Sequence, residues 1–162
     1  MIDIRDERQA DWTAVRRLVS SAFGRSDEAD LVEKLRAAGD AVVSLVAEED
    51  GQIVGHILLS RMDAPFSALA LAPVSVTPAR QRSGIGSALV AAGIARARNE
   101  GWAAVFVLGE PEFYARFGFD QEAAAGFTSP YAGPYLMMLR LSASLTATTG
   151  ELRHAPAFSA LG

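Results

Sequence analysis

The strongest chemical signal in the sequence is a short basic turn that contains two glycines. It lies between an apolar run that ends at Val76 and a helix-forming run, and it reads Gln81-Arg82-Ser83-Gly84-Ile85-Gly86. Main-chain amides at the start of a helix have no partner within the helix, and with the helix dipole they bind phosphate groups. Glycine lets a ligand lie against the backbone, and arginine adds charge-assisted hydrogen bonds. The turn therefore predicts a site for a phosphate-containing ligand.

Two other phosphate-binding motifs do not fit this turn. The dinucleotide fingerprint needs a third glycine where Leu89 stands, and the P-loop needs a Gly-Lys-Ser/Thr ending. Lys34 is the only lysine of the chain, so no lysine stands beside the turn to bind phosphate or form a Schiff base. The chain has no cysteine and two histidines, which excludes thiol catalysis and cysteine zinc sites. We expect no metal.

A mixed α/β fold is predicted to position the turn. Hydrophobic periodicity predicts strands at 2–5, 42–47, 53–60, 67–76, 102–108, 119–122 and 135–141, and helices at 12–23, 26–39, 84–101 and 111–117. Asp50-Gly51 between two strands predicts a hairpin. Pro73 lacks an N–H for a sheet ladder, so it predicts a bulge or an edge. The strand–helix–strand order over 67–108 predicts a parallel pair with a right-handed crossover.

With these elements around it, the chain resembles the GNAT N-acetyltransferases over residues 2–141. The turn matches the pattern Gln/Arg-x-x-Gly-x-Gly/Ala, and residues 113–119 are similar to a Tyr-x-x-x-Gly-Phe segment of that family. Residues 150–158 are similar to the ending of a bacterial subgroup of predicted acetyltransferases. The resemblance implies a mixed, mostly antiparallel central sheet with one parallel crossover and flanking helices. It also implies a domain over 1–142 and a short extension, 143–162, packed on the same domain.

The resemblance implies acetyl-CoA as cosubstrate. The amides from Arg82 through Ser87 would hold its pyrophosphate, and the strand over 72–76, splayed from its neighbour, would hold the pantetheine arm. An amide near Val74 to Val76 would polarise the thioester carbonyl. The cofactor-binding residues implied are Val74, Ser75, Val76, Gln81, Arg82, Ser83, Gly84, Ile85, Gly86, Ser87 and Tyr114.

The catalytic residues implied are Tyr114, Glu110 and Glu112. Tyr114 matches the position from which the family often supplies a phenol to the departing thiolate. Glu110 and Glu112 are the nearest candidates in sequence for the base, with Ser75 and His56 behind them. Two other interpretations stay open: Tyr114 as a packed core aromatic, and the glutamates as solvated helix-start carboxylates. Many members also carry an Asn near the end of the fifth strand, where this chain has Leu108-Gly109-Glu110-Pro111.

The expected function is therefore that of an acyltransferase of the EC 2.3.1 class. It would move an acetyl group from acetyl-CoA to a primary amine of a small molecule or peptide. Direct transfer is favoured because no cysteine is present to carry the acyl group. The first alternative is a non-catalytic acyl-CoA-binding or sensor domain, motivated by the missing Asn and the unassigned base. The second is a structural or partner-binding domain.

Charge and hydropathy limit the partners. The net charge is -4 and the isoelectric point is near 5.2, which argues against nucleic-acid binding because phosphate contacts need a clustered basic surface. The first 63 residues carry an excess of acids, which suits a cationic ligand. Charged residues at the start and prolines in the uncharged stretches predict a cytoplasmic protein with no membrane partner. The resemblance also allows a homodimer.

Overall fold

A mixed sheet flanked by helices organises residues 1–160, which are those that the computed structural model describes. The strands are β1 Ile2–Asp6, β2 Ala41–Glu49, β3 Gln52–Asp63, β4 Ala68–Val76, β5 Ala104–Leu108, β6 Phe127–Thr128, β7 Leu136–Arg140, β8 Gly150–Glu151 and β9 Arg153–His154. The helices are α1 Trp12–Phe23, α2 Asp27–Ala37, α3 Ile85–Asn99, α4 Pro111–Ala115 and α5 Gln121–Ala124.

The main sheet has the strand order β1-β2-β3-β4-β5-β7, and β9 also pairs with β3. The β4–β5 pair is parallel, and the other pairs in this sheet are antiparallel. The mixed, mostly antiparallel sheet and the parallel pair joined through α3 confirm the predicted fold. The predicted hairpin is confirmed too: Asp50 and Gly51 both have positive φ, at 52° and 78°, between β2 and β3.

The alternation of side chains along the strands gives the sheet two buried faces. Ile57 and Leu59 of β3 pack with Leu89 of α3 on one face. Leu58 packs with Leu35 of α2 on the opposite face. Successive strand residues point to opposite faces, so an apolar run without alternation forms when both faces are covered.

β4 carries the predicted bulge at its proline. Ile57 pairs with Val74 and Leu59 pairs with Leu71, so three steps along β4 oppose two steps along β3. Pro73 lies in the extra length, where its missing N–H breaks no ladder. The parallel pairing with β5 runs from Ala68 to Leu71 and ends there. β4 therefore separates from β5 over its last five residues.

The predicted strand at 119–122 is wrong. Asp120 forms a single bridge with Met138, and a helical turn, α5, begins at the next residue. The Asp120 side chain accepts a hydrogen bond from the Glu122 amide at 3.0 Å. An aspartate that caps the following amides starts a helix, so this local bond overrides the weak strand signal.

The C-terminal residues return across the sheet and complete its second face. Leu152 is fully buried in a cluster with Phe106 and Met138. Phe158 packs with Leu31 and Leu58 near α2. This segment covers the part of the sheet around β5 and β7 that α1 and α2 leave open.

In the part of the chain that the structure describes, no helix combines the length and the apolar character that crossing a membrane requires.

Candidate functional site

The turn before α3 holds a row of main-chain amides without partners. Arg82 and Gly84 have φ of 65° and 90°, and at Gly84 the missing Cβ makes this left-handed conformation inexpensive. The first helical bond runs from the Ala88 amide to the Gly84 carbonyl at 3.0 Å. Within residues 1–160, the amides of residues 82–87 donate no hydrogen bond. Such a row of free N–H groups at a helix start binds anions.

Side chains hold the turn in shape without covering these amides. Gln81 Nε2 donates to the Val76 carbonyl at 3.1 Å, and Ser83 Oγ donates to the Arg80 carbonyl. Ile85 is buried against the sheet, which anchors the helix start. A Cβ at Gly86 would meet only Val76, at 3.7 Å, so this glycine lies close to the end of β4 with open space beside it.

The basic residues near the turn have different roles. Arg80 Nη2 donates to the Glu49 carboxylate of β2 at 2.7 Å, so its charge is already paired. Arg82 is exposed on the turn itself. Arg116, which follows α4, donates to Ser87 Oγ at 2.9 Å. Sequence analysis did not select Arg116, because 29 residues separate it from Ser87.

The gap between β4 and β5 opens into a cleft of about 490 Å³. Val74 is the one predicted site residue of β4 in its wall, and Tyr114 is the one from the helical segment after β5. The complete lining is Phe23, Arg25, Glu28, Leu31, Leu71, Ala72, Pro73, Val74, Leu108, Tyr114, Tyr131 and Phe158. The volume is in the range of pockets that hold small molecules.

Tyr114 is packed on its sides and faces the cleft. Its ring meets Phe113 and Phe119 edge to face, with centroids 4.9 Å and 5.7 Å away. Burial raises the pKa of Tyr114 to about 12, because a low-dielectric surrounding disfavours the phenolate. The phenol therefore keeps its proton at neutral pH. Both interpretations of Tyr114 are compatible with this position, since it packs and also lines the cleft.

The predicted carboxylates lie outside the cleft. Glu110 is the residue before α4 and Glu112 is in its first turn, and both are exposed. Neither belongs to the lining residues. Their role as the base stays a prediction.

Ser75 and His56 lie beside the cleft but inside the sheet. They are direct partners across β3 and β4, and both are buried. His56 Nε2 is 3.0 Å from Ser44 Oγ. Ser44 and Arg36 both donate to the Glu7 carboxylate, and although burial raises its pKa, His56, Ser44 and Arg36 together hold it below the usual value. This buried network lies under α2 and not in the cleft wall.

Comparison with known proteins identifies the family. The family model described as "Acetyltransferase (GNAT) family" matches residues 3–119. The chain belongs to the GNAT acetyltransferases. A curated GNAT relative, the uncharacterized N-acetyltransferase YjhQ of Escherichia coli K12, is 38% identical over 159 residues, covering 90% of this chain and 87% of the relative. The family and its curated relatives make the chain an N-acetyltransferase of the EC 2.3.1 class.

Two solved GNAT structures share the fold over almost the whole chain. YhbS of Escherichia coli, solved in complex with CoA, has a TM-score of 0.92 at 30% identity and covers 99% of this chain and 93% of its own. A GNAT acetyltransferase from Brucella melitensis, solved in complex with acetyl-CoA, has a TM-score of 0.83 at 34% identity, with 98% coverage of both chains.

The position that follows β5 has no room for a side chain. Gly109 follows β5, and a Cβ built on it would lie 2.3 Å from Cε2 of Tyr114. Contacts this short do not occur, so any side chain at 109 would displace the Tyr114 ring. The glycine and the position of the tyrosine therefore depend on each other.

Sequence analysis missed the far wall of the cleft. Arg25 and Glu28 come from the α1–α2 connection, Tyr131 from the loop before β7, and Phe158 from the C-terminal segment. Glu28 follows Ser26, and an acid in that place is typical of a helix start. Its place in the sequence therefore does not distinguish a residue of the cleft wall from an acid that only stabilises the helix. Its burial, at 6% exposure, is a property of the tertiary structure alone.

Proposed function

We propose that this protein binds acetyl-CoA along β4 and the start of α3, and transfers the acetyl group directly to a primary amine of a small molecule or peptide. The observation that carries the proposal is the row of free amides at 82–87, placed where the open edge of β4 leads into the cleft. The two solved relatives that bind CoA or acetyl-CoA support it.

The pyrophosphate fits the turn before α3. Amides of residues 82–87 would donate to its oxygens, and Arg82 would add a charge-assisted bond. The space beside Gly86 lets the phosphate approach the backbone. The side chains of Gln81 and Ser83 would contribute indirectly, because they donate to main-chain carbonyls and so fix the shape of the turn.

The pantetheine arm fits the edge of β4 beyond Leu71. Over residues 72–76 this edge has left its pairing with β5, so the main-chain groups on that side that pair neither with β3 nor with Gln81 are open to an amide-containing ligand that extends the ladder. The thioester would then lie near Val74 at the wall of the cleft. A main-chain amide between Val74 and Val76 would polarise its carbonyl, as hydrogen-bond donors do in acyl transfer.

The bonds and protons of the proposed acetyl transfer can all be accounted for. The amine nitrogen bonds to the thioester carbonyl carbon, and the carbon–sulfur bond breaks. The acceptor ammonium loses two protons in forming the amide. Tyr114 donates its phenolic proton to the departing thiolate and regains one of those two, and the other is released. Holding amine and thioester in one cleft supplies much of the rate, because it removes the entropic cost of bringing them together. Glu110 and Glu112 remain the predicted bases.

A specific observation favours the non-catalytic acyl-CoA-binding domain as the second candidate function. Both predicted base carboxylates are exposed and stand away from the cleft. A domain that kept the amides of residues 82–87 and lost proton removal would bind acyl-CoA without turnover.

The test combines binding with turnover. Acetyl-CoA at a hundred times its dissociation constant should add about 2.7 kcal/mol to the free energy of unfolding, which raises Tm by roughly 5–10 °C for a domain of this size. Thiol release is then followed across a panel of primary amines. Turnover supports the enzyme, and stabilisation without turnover supports the binding domain. No rise in Tm at millimolar acetyl-CoA would reject both.

A further inference from the structure

The cleft contains one carboxylate, and it belongs to a residue that the reaction above does not use. Among the cleft-lining residues of the described chain, Glu28 is the only acid and Arg25 the only base. The Glu28 side chain is 8% exposed, and its two oxygens accept from Arg25 Nε at 3.0 Å and Nη2 at 2.5 Å. A carboxylate this deeply buried needs a cationic partner, since unpaired burial of a charge is costly.

Arg25 has a second partner outside the cleft. Its Nη1 is 3.6 Å from the Asp27 carboxylate, and its side chain is 49% exposed. The Arg25 charge therefore stays balanced by Asp27 if another cation takes its place at Glu28. Arg25, Asp27 and Glu28 together carry one net negative charge, which a ligand with a single positive charge neutralises.

The rest of the wall is apolar and open to solvent. Phe23, Leu108 and Tyr131 are exposed by 42%, 41% and 36%, and all three line this cleft. Large apolar side chains grouped around one opening mark a binding surface. The aromatic faces of Phe23 and Tyr131 also suit a cation, which is attracted to the electron-rich ring.

The C-terminal segment fixes two of the aromatic walls. The His154 ring lies 5.0 Å from Tyr131 and 5.0 Å from Phe158, at steep angles to both. Burial lowers the pKa of His154 to about 4, so the ring is neutral at physiological pH and adds no positive charge behind the wall. This part of the cleft lies beyond residues 3–119, which the family model matches.

We propose that the acceptor is a hydrophobic primary amine with one ammonium group and no carboxylate, and that Glu28 binds this ammonium in place of Arg25. The inference rests on the proposed function, because it places the acceptor in the cleft beside the thioester. Glu28 is the residue that selects the amine. An amino acid is disfavoured because its carboxylate would lie close to the Glu28 carboxylate, where like charges repel, and would have to displace Asp27 from Arg25. A polyamine is disfavoured because its second charge would lie against apolar walls.

The first experiment measures specificity with matched probes. Phenethylamine, phenylalanine and putrescine are compared as acceptors, and acetyl-CoA binding is measured separately by calorimetry. We expect kcat/KM for phenethylamine to exceed that for each of the other two by at least about tenfold, since each of them carries an additional charge that has no free partner in the cleft, and burying an unpaired charge costs this much or more.

The second experiment tests Glu28 itself. Glu28→Gln should raise KM for phenethylamine by roughly tenfold to a hundredfold and leave the acetyl-CoA dissociation constant unchanged. In the protein saturated with CoA, phenethylamine should raise Tm of the unaltered chain and not of the variant. Glu33→Gln is the matched control, because Glu33 is an exposed acid on the same helix that pairs with Arg16 and is not among the residues lining the cleft.

Arg25→Gln keeps the proposal testable if Glu28→Gln does not fold. Removing the internal partner of Glu28 should lower KM for phenethylamine or leave it unchanged. A large rise in KM would show that Arg25, and not Glu28, binds the acceptor.

Each remaining outcome has one meaning. Loss of acetyl-CoA binding in the unaltered chain would overturn the proposed function together with this inference. With normal acetyl-CoA binding, the inference alone would be overturned if phenylalanine or putrescine were preferred, if none of the three probes were acetylated while another amine of the panel was, or if Glu28→Gln left KM unchanged. Binding with no turnover of any amine would overturn the proposed transfer together with the inference.

Discussion

In the proposed reaction, the phenol of Tyr114 is the group that donates a proton to the leaving thiolate. Its ring is held edge to face by Phe113 and Phe119, and Gly109 leaves room for it. Its pKa of about 12 keeps the proton on oxygen until a strong base forms nearby. A thiolate with an unperturbed pKa near 8.5 is a weaker base than this phenolate, so the donated proton must be replaced from the amine as transfer proceeds.

Tyr114→Phe tests this role at the scale of one hydroxyl. The ring contacts remain, so Tm should change little, and kcat should fall by roughly 10²-fold, which is the usual contribution of a general acid. Steady-state kinetics by thiol release, with calorimetry for acetyl-CoA, provides the measurement. An unchanged kcat would assign Tyr114 to packing alone.

At the scale of an element, the proposed function assigns anion binding to the start of α3. The helix contributes its free amides and its dipole together, and Gly86 leaves the space that a phosphate needs. The helix is anchored by Ile85, Leu89 and Ile94 against the sheet. Anion binding and folding therefore depend on different residues of the same helix and can be separated by substitution.

Gly86→Glu should abolish acetyl-CoA binding and leave the fold intact. The new carboxylate would occupy the phosphate position, whereas a negative charge in the first turn of a helix is favourable for the helix itself. Calorimetry measures the affinity, and circular dichroism follows the fold. Ala95→Glu, at an exposed position nearer the carboxyl end of the same helix, is the control and should bind acetyl-CoA normally. If Gly86→Glu bound acetyl-CoA as tightly as the control, the binding site would have to lie elsewhere in the protein.

The C-terminal segment is a structural element of the core and of the cleft. Leu152 is fully buried between β5 and β7 side chains, while Phe158 lines the cleft. The segment therefore links the stability of the sheet to the shape of the cleft wall.

Leu152→Ala should lower the free energy of unfolding by about 2–5 kcal/mol, the usual cost of emptying a buried leucine site. Urea denaturation followed by tryptophan fluorescence measures it. Glu151→Ala should cost almost nothing, because its ion pair with Arg153 is exposed and such pairs contribute little. Equal effects of the two substitutions would mean that this segment is not packed as described.

The stability of the whole molecule should fall with acid in two separate steps. The first belongs to His154: burial lowers its pKa from 6.5 to about 4, so below pH 6.5 the unfolded chain binds a proton that the folded chain does not. Stability therefore declines as the pH falls from about 6.5 to 4. The second belongs to three carboxylates whose pKa is lowered in the fold, Asp6, Glu7 and Asp11. Hydrogen bonds with Arg5 lower the pKa of Asp11 from 3.8 to about 2, and the contribution of such carboxylates is lost as the pH falls through that lower window.

His154→Phe separates the two steps. Phenylalanine keeps an aromatic ring between Tyr131 and Phe158 and does not titrate, so the decline between pH 6.5 and 4 should become shallower. The decline below pH 4 should remain. Urea denaturation at a series of pH values gives the free energy of unfolding of the unaltered chain and of the variant. An equal decline in both proteins between pH 6.5 and 4 would contradict the role of His154.

Local signals predicted most of the fold and part of the candidate site. The hairpin at Asp50-Gly51, the bulge at Pro73 and the turn at 81–86 each depend on a few adjacent residues whose backbone preferences are strong. The strand at 119–122 was predicted wrongly, because a capping aspartate and a strand-forming phenylalanine compete there and the local hydrogen bond prevails.

The sequence by itself determined the glycine-containing turn before α3, the crossover that carries it and the family to which the chain belongs. Only the tertiary structure decided which residues line the cleft. Glu28, Tyr131 and Phe158 are far apart along the chain, and they meet because α1 and α2 cover one part of the sheet and the C-terminal segment covers the rest. The physical reason is that helix starts and turns are set by neighbouring residues, whereas the burial of a carboxylate and the walls of a cleft depend on packing between distant ones.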